Sequence, residues 1–549
     1  MSLKDSVARL ISGQVADDSE TRLKYSRDTS IFTKTPSLVV FPENADDVAH
    51  VVEYVHKEKS DGTDISITAR SAGTDMTGGP LTDSISMVFT KLMNHVVEVG
   101  KDYVVAEPGV YYRDLEKETK AKNGRIIASY PASRQLCAIG GMVNNNSGGE
   151  LTLQYGKTNR YIEELDVVLS DGSKATLKPL STEALAAKEK EQTLEGSIYR
   201  DIHALIDDNK DAIDAARPNV TKNSSGYALW NVMDAKKGTF DLTQLICGAQ
   251  GTLALLTKAK IGTVKTKDHR AMLIIFLTDF EILPEIVRRV LKFAPESFES
   301  YDDQTFKLAV RFIPQIISHF GIIEMIQLGL AFIPEMLMVL TGGVPKLVLM
   351  AEFAEDTAQE ALEKARDARA SLEGLALSTK IARSETQSAK YWTIRRESFS
   401  LLRKNLRGLY AAPFIDDLVV HTDDFPKFIP ELNALMRQHH LIYTIAGHIG
   451  DANFHIIPLM NLADPKARKE ILELTPKVYK LVASFHGSIT GEHNDGIIRT
   501  PYLSLMYGDK MVELFAQVKK IFDPLNIFNP GKKIGGTIAD IEKFMITHQ

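Results

Sequence analysis

Short apolar runs alternate with amphipathic stretches over the first 260 or so residues of the chain. Leu38–Phe41 is apolar throughout and predicts a buried strand. The run Pro42-Glu43-Asn44-Ala45-Asp46-Asp47 then opens a helix, with Val48, Val51, Val52 and Val55 on one face. Residues 65–68, 84–90 and 103–107 predict further strands, and Tyr112–Asn123 a helix. Residues 1–31 read as a helix and a connector. Residues 165–169, followed by Asp171-Gly172, and residues 253–257 predict two more strands, with one or two polar helices over 183–216. Near residue 266 the texture changes. Residues 271–277 open a second sheet, 346–353 continue it, and 357–372 form an amphipathic helix. Strands and helices mix in both halves, which predicts an α+β fold.

The stretch 304–344 stands apart, because Gln327 and Glu335 are the strongly polar members of its second half. Pro, Glu and Arg interrupt it too often for a membrane-spanning helix. Buried helices and a patch resting on a membrane face both suit it.

Two small-residue stretches break the pattern of the first half. Residues 69–80 contain Ser71, Ala72, Gly73, Thr74, Gly78 and Gly79 directly after a predicted strand. Few side chains stand in the way there, so backbone N–H groups can face a phosphate or pyrophosphate at close range. The stretch lacks the G-x-x-x-x-G-K-[ST] lysine and the G-x-G-x-x-G spacing of the commonest nucleotide loops. Residues 130–149 form the second loop, with Gly140, Gly141, Gly148, Gly149 and three consecutive asparagines, Asn144, Asn145 and Asn146. Two such loops in one unit point to a shared ligand more strongly than either alone.

Composition narrows the function. Apolar residues are 44% and charged residues 25% of 549, ordinary for a folded chain with a large core. A formal charge of −6 offers no basic stripe for nucleic acid. The two cysteines, Cys137 and Cys247, exclude a disulfide framework, a cysteine zinc site and a cysteine-ligated iron–sulfur cluster. No apolar signal-like core opens the chain, so a cytoplasmic protein is expected.

The chemistry concentrates late. Gly447-His448-Ile449-Gly450-Asp451-Ala452-Asn453-Phe454-His455 puts two histidines around a glycine turn between two predicted strands. Gly491-Glu492-His493 presents a carboxylate and an imidazole side by side. Two histidines and one carboxylate make a set that holds zinc or manganese, which would polarise a substrate oxygen. His493 then remains as a general base near neutral pH. Arg395 and Arg396 are candidates to clamp a substrate carboxylate, where the guanidinium fork gives bidentate geometry.

Assembled, these pieces resemble the flavoproteins of the vanillyl-alcohol oxidase/p-cresol methylhydroxylase class, and more narrowly the D-lactate dehydrogenase, glycolate oxidase and D-2-hydroxyglutarate dehydrogenase branch. The resemblance runs from about residue 30 to 535. It rests on the order of residues 69–80, Pro131…Gly140-Gly141, Tyr155-Gly156, 167–172, Ser225-Gly226-Tyr227, Gly248…Gly251-Thr252, 447–455, Gly491-Glu492-His493 and Asn529-Pro530-Gly531-Lys532.

The resemblance implies an N-terminal connector over 1–31 and a two-subdomain FAD-binding domain over 32–266. It implies a cap domain with an antiparallel sheet flanked by helices over 267–485, and a segment 486–549 returning to the FAD domain. It implies FAD rather than NAD, with the diphosphate on the backbone of Arg70, Ser71, Ala72, Gly73, Thr74 and Asp75, and Thr77 nearby. Pro131, Ala132, Ser133, Gly140, Gly141 and Asn144 would line a second FAD loop, Ile162 would meet the adenosine end, and Asn529 would lie near the isoalloxazine. No histidine stands where some relatives attach flavin covalently, so noncovalent FAD is expected.

The implied divalent ion, zinc or manganese, would sit on His448, His455 and Glu492, with His493 as base and Arg395 on the substrate carboxylate. The implied reaction is oxidation of a D-2-hydroxyacid, D-lactate first, with electrons passed to a quinone, a cytochrome or an electron-transfer flavoprotein. Glycolate or D-2-hydroxyglutarate oxidation, an alkylglycerone-phosphate-synthase-like transfer and a flavin-carrying docking subunit are the alternatives. Contact with the inner membrane face through 304–344 and a homodimer are further expectations. Three departures from the family pattern stand out. Ala452 replaces a usual glycine, and Asn494-Asp495 replace Gly-Ile. Phe414-Ile415-Asp416-Asp417 lacks the lysine of the hydroxyglutarate branch's Lys-Tyr-Asp motif.

Overall fold

The computed structural model describes residues 2–303, 345–383, 387–395, 408–439 and 441–547. The apolar stretch 304–344 and Arg396 lie outside the described residues. The chain divides into two compact units, one of residues 1–149, 156–265 and 488–549, the other of 150–155 and 266–487.

The first unit is built mainly on two sheets, beside a small three-stranded one of Leu180–Ser181, Met233–Asp234 and Thr239–Phe240. Strands β1 (Gln14–Ala16), β2 (Leu38–Phe41), β3 (Ile67–Arg70) and β4 (Ile85–Val88) form one sheet in the order β1-β2-β4-β3. Pairs β2/β4 and β3/β4 are parallel. Parallel neighbours need a crossover, and the helix Ala45–Ser60 lies between β2 and β3. It starts because the Asn44 side chain accepts the Asp47 N–H at 3.0 Å, satisfying one orphan donor of the first turn. Val48, Val51, Val52 and Val55 are all buried and pack with Leu38, Val40, Ile67, Ile85 and Met87. Each such side chain contributes about 1.5–3 kcal/mol on burial. Residues beyond 500 complete this sheet. Ile67 bridges Phe528 in parallel, and the Asn529 N–H donates to the Ile67 carbonyl at 2.8 Å.

The second sheet of this unit is antiparallel. Strands β5 (Val96–Val99), β6 (Tyr103–Ala106), β7 (Ile162–Val168), β8 (Lys174–Leu177) and β9 (Leu255–Gly262) run in the order β5-β6-β9-β7-β8. The expected loop at 130–149 is not one continuous loop, since Ile139–Asn145 is a short helix ended by Asn146 at φ 48°.

The second unit carries a large antiparallel sheet. Its strands are β10 (His269–Leu277), β11 (Ser297–Asp302), β12 (Leu347–Glu355), β13 (Ser378–Ala382), β14 (Tyr410–Ala411), β15 (Leu418–Val419), β16 (Ile442–His448) and β17 (Asn453–Met460). They run β13-β10-β12-β11-β16-β17-β14, with β15 also pairing β17. The central strands β11 and β12 are buried almost end to end, so polar residues on them are costly unless partnered. No described helix is long and apolar enough to cross a membrane.

Candidate functional site

In the first unit, the loop after β3 is set by its own side chains. The Asp75 carboxylate accepts from the Thr77 N–H at 3.0 Å, the Thr77 hydroxyl at 2.7 Å and the Gly79 N–H at 2.8 Å. The Arg70 guanidinium donates to the Tyr25 and Arg27 carbonyls, at 3.3 and 2.6 Å, beneath Gly73. A Cβ on Gly73 would stand 2.2 Å from Arg70 Nη2, and φ there is +72°, so only glycine fits. Among the described residues, no protein acceptor takes the backbone N–H groups of Ala72, Gly73, Thr74, Asp75 or Met76. A run of unsatisfied amides on a side-chain-poor loop is a fit for the diphosphate of FAD.

The second stretch faces the first. A Cβ on Gly141 would meet only Ser71 Cβ, at 3.8 Å. Asn145 Nδ2 donates to Asp75 Oδ1 at 3.1 Å. Gly140 sits against Pro108, accepting no side chain, with its N–H on the Pro108 carbonyl at 2.8 Å. Pro131, Ala132 and Ser133 enter a turn in which the Ser133 carbonyl accepts from Leu136 and Cys137. Ile162 opens β7 opposite Ile261 of β9.

Two asparagines lace these stretches together. Asn144 donates to the Gly140 carbonyl and accepts from the Gly251 N–H, both at 2.9 Å, so its side chain shapes the loops. Asn529 is fully buried at φ 42°. Its amide donates to the Gly79 carbonyl at 3.0 Å and the Gln250 carbonyl at 2.7 Å, and accepts from the Thr68 hydroxyl at 3.1 Å.

The same unit holds the Gly491-Glu492-His493 turn, tied down by buried cations. Lys157 Nζ donates to the Gly491 carbonyl at 2.5 Å, and Lys222 Nζ meets Glu492 Oε1 at 2.6 Å. Arg499, wholly buried, donates to the Ile489 and Asn494 carbonyls at 3.0 Å each. Asp495 accepts from the Ser225 hydroxyl, the Gly226 N–H and Lys533, at 2.8, 2.9 and 2.9 Å. His493 is half-buried.

In the second unit, β16 and β17 form a hairpin closed by His448 opposite Asn453. His455, two residues along β17, therefore lies on the same face as His448's cross-strand partner. The two rings lie 5.2 Å apart at 87°. Each has a carboxylate at Nδ1: Glu299 Oε1 at 2.6 Å from His448, and Asp416 Oδ1 at 3.3 Å from His455. An imidazole whose Nδ1–H is given to a carboxylate ligates through Nε2, the usual arrangement of metal-binding histidines. This donor set fits a divalent ion such as zinc or manganese. Arg395 Nη2 lies 3.2 Å from Glu299 Oε2, and its Nε is buried with no hydrogen-bond partner among the described residues. Nearby, burial pushes the Glu352 carboxyl up to about 7, although Trp392 donates to it at 3.2 Å.

Sequence reasoning missed Glu299, Lys222 and Lys157. Glu299 lies 149 residues before His448 and Lys222 lies 270 before Glu492, on elements with no motif of their own. The carboxylate in Phe298-Glu299-Ser300 of β11, a charge within a strand that is otherwise central, is the one signal that could have flagged Glu299.

Comparison with known proteins agrees with this architecture. Residues 36–178 match the FAD binding domain, and residues 266–533 match the C-terminal domain of FAD linked oxidases. A D-2-hydroxyglutarate dehydrogenase of Pseudomonas putida is 26% identical over 95% of this chain and 50% of its own length. The chain thus spans about half the length of the curated relatives it first matches. The glycolate oxidase subunit GlcD of Bacillus subtilis is 23% identical, covering 96% of both chains. A D-lactate dehydrogenase of Anaerostipes hadrus is 24% identical over 90% of this chain and 89% of its own. Among solved structures, 4-ethylphenol oxidase from Gulosibacter chungangensis superposes with a TM-score of 0.65 at 16% identity, covering 96% of this chain and 95% of that one. An alkyldihydroxyacetonephosphate synthase does so at 0.63 and 14%, covering 94% and 82%. The fold is that of the p-cresol methylhydroxylase type of FAD-binding protein. The chain belongs to the FAD-linked oxidases, joining their FAD-binding domain to their C-terminal domain.

Proposed function

We propose that this chain is an FAD-dependent, metal-assisted dehydrogenase of D-2-hydroxyacids. The observation that carries the reading is the paired imidazoles of His448 and His455, each with Nδ1 on a buried carboxylate. FAD, when bound, supplies the acceptor for the C2 hydride, and a divalent ion, when bound, makes the substrate hydroxyl more acidic.

The chain's own residues do the rest. His448 and His455 offer two nitrogen ligands, and Glu492 is the carboxylate ligand that the family motif assigns. His493 takes the hydroxyl proton as general base. Arg395 binds the substrate carboxylate, and the orphaned Nε–H supports that role. D-lactate is the first choice of substrate. The position of the family's Lys-Tyr-Asp lysine is Phe414-Ile415-Asp416-Asp417 here, which leaves a second substrate carboxylate without its cation. D-2-hydroxyglutarate, the substrate named for most of the relatives, is the second choice. Electrons leave to a quinone, a cytochrome or an electron-transfer flavoprotein.

Anaerobic mixing of the yellow protein with a panel of D- and L-2-hydroxyacids, with and without chelator, tests this. A D-acid should bleach the flavin, and chelator should stop it. In His493→Ala the flavin should stay bound while bleaching falls by several orders of magnitude. Undiminished bleaching in that variant would refute the assignment of the base.

A further inference from the structure

We propose that Glu299 is a positioning residue that couples the metal side of the 2-hydroxyacid site to its carboxylate side. The inference rests on the function proposed above. Glu299 stands on β11, between β12 and β16 in the sheet, and is buried. One carboxylate oxygen lies 2.6 Å from His448 Nδ1, and the other lies 3.2 Å from Arg395 Nη2. A single buried anion thus touches both a ligand of the expected ion and the expected clamp of the substrate.

Its two contacts act in opposite directions. On the histidine side, the carboxylate fixes the ring and its tautomer and makes Nε2 a stronger donor to a cation. Asp416 does the same for His455 across a longer 3.3 Å, so Glu299 holds its histidine more firmly. On the arginine side, the negative charge already offsets the guanidinium, so an incoming substrate carboxylate meets a partly compensated cation. Removing the charge at 299 should therefore loosen the ion and tighten the acid. A role confined to holding the fold would weaken both together.

The experiment uses the full-length flavoprotein with Mn2+ as the metal probe. Manganese affinity is measured by chelator competition without substrate. KM is measured at saturating Mn2+ with the 2-hydroxyacid that reduces the flavin fastest. Glu299→Gln should bind Mn2+ about 10–100-fold more weakly, the range seen when a partner of a ligating histidine is lost, while KM falls. Glu299→Asp, whose shorter arm cannot span both partners, should keep the charge yet lose at least tenfold in Mn2+ affinity. Wild-type Mn2+ affinity in a folded, flavin-loaded Glu299→Gln protein would overturn the inference, as would KM rising in step with the loss of metal. Should Glu299→Gln fail to fold, Glu299→Asp decides by the same Mn2+ measurement. A wild-type protein that binds no Mn2+, or His448→Ala binding it as tightly, would instead refute the function proposed above.

Discussion

Asn529 offers the sharpest test of how the FAD-binding unit is held together. Its side chain makes three buried hydrogen bonds, to the Gly79 and Gln250 carbonyls and from the Thr68 hydroxyl. Replacing it with glycine removes all three. At a net value near 1 kcal/mol each, Asn529→Gly should cost about 3 kcal/mol. Alanine loses the same bonds and also carries a Cβ at φ 42°. A left-handed backbone penalises alanine by roughly 1–2 kcal/mol relative to glycine, so Asn529→Ala should be the less stable of the two by about 1 kcal/mol. The order Asn > Gly > Ala is the signature, because propensity alone would favour alanine over glycine. Urea unfolding of the flavin-free protein measures it, and FAD titration should show weaker binding in both variants, since Gly79 and Gln250 lose their tie. A loss below 1 kcal/mol for Asn529→Gly, or glycine less stable than alanine, would refute the reasoning.

Two further outcomes follow from buried or strained positions. Ala452 ends the hairpin turn at φ 55°, ψ 31°, a left-handed conformation. Ala452→Gly should raise stability by about 0.5–1 kcal/mol, seen as a later urea midpoint, because the strain relieved exceeds the entropy glycine adds to the unfolded chain. Lys532 is buried, and burial, aided by the charge of Lys34, pulls its ammonium down to about 7. Between pH 7 and 10.5 the unfolded chain therefore holds a proton that the native chain lacks, so Lys532 makes stability rise with pH across that window. Lys532→Met should flatten the rise by up to about 1.4 kcal/mol per pH unit, read as the difference between wild-type and variant urea midpoints at pH 7, 8 and 9. Parallel curves would rule this out.

Local pattern made much of the fold legible. Leu38–Phe41 and Tyr112–Asn123 are the elements that apolar runs and helical spacing predict. The valine face of Ala45–Ser60 is buried as its period requires. The pattern failed where chemistry was compressed into few residues. Glycines and asparagines over 130–149 read as loop, yet Ile139–Asn145 is helical, entered by the Met142 N–H on the Ala138 carbonyl, with the Asn144 side chain also bonding back to the Gly140 carbonyl. The β9 strand runs to Gly262, well past residue 257, since pairing with β6 and β7 on both sides carries the less apolar Lys258 and Lys260 along. Among candidate site residues, motif spacing isolates His448 and His455, but no spaced motif marks Glu299, only a charge within a β11 segment. A carboxylate that acts through a histidine 149 positions away is visible only once the sheet has placed β11 beside β16.

The departures from the family pattern show how the chain absorbs change at backbone positions that want glycine. Asn494 occupies φ 70°, where asparagine is the least costly alternative to glycine. Its side chain then becomes useful, donating to the Gly248 carbonyl at 2.8 Å and accepting from the Asp495 N–H at 2.8 Å. Asp495, the next departure, would be an unpaired buried anion on its own. Lys533, equally buried, lies 2.9 Å away and also donates to the Ser224 and Gly226 carbonyls. A buried pair of this kind adds little net stability over an apolar one, but removing either partner costs about 3–5 kcal/mol. Each of these bonds pins the segment that carries Glu492 and His493 from a different side. Asn494 and Asp495, standing where the family pattern has Gly-Ile, thus fix this turn by directed bonds. That is what the roles proposed for Glu492 and His493 would require of two adjacent residues, because neither can be moved without moving the other.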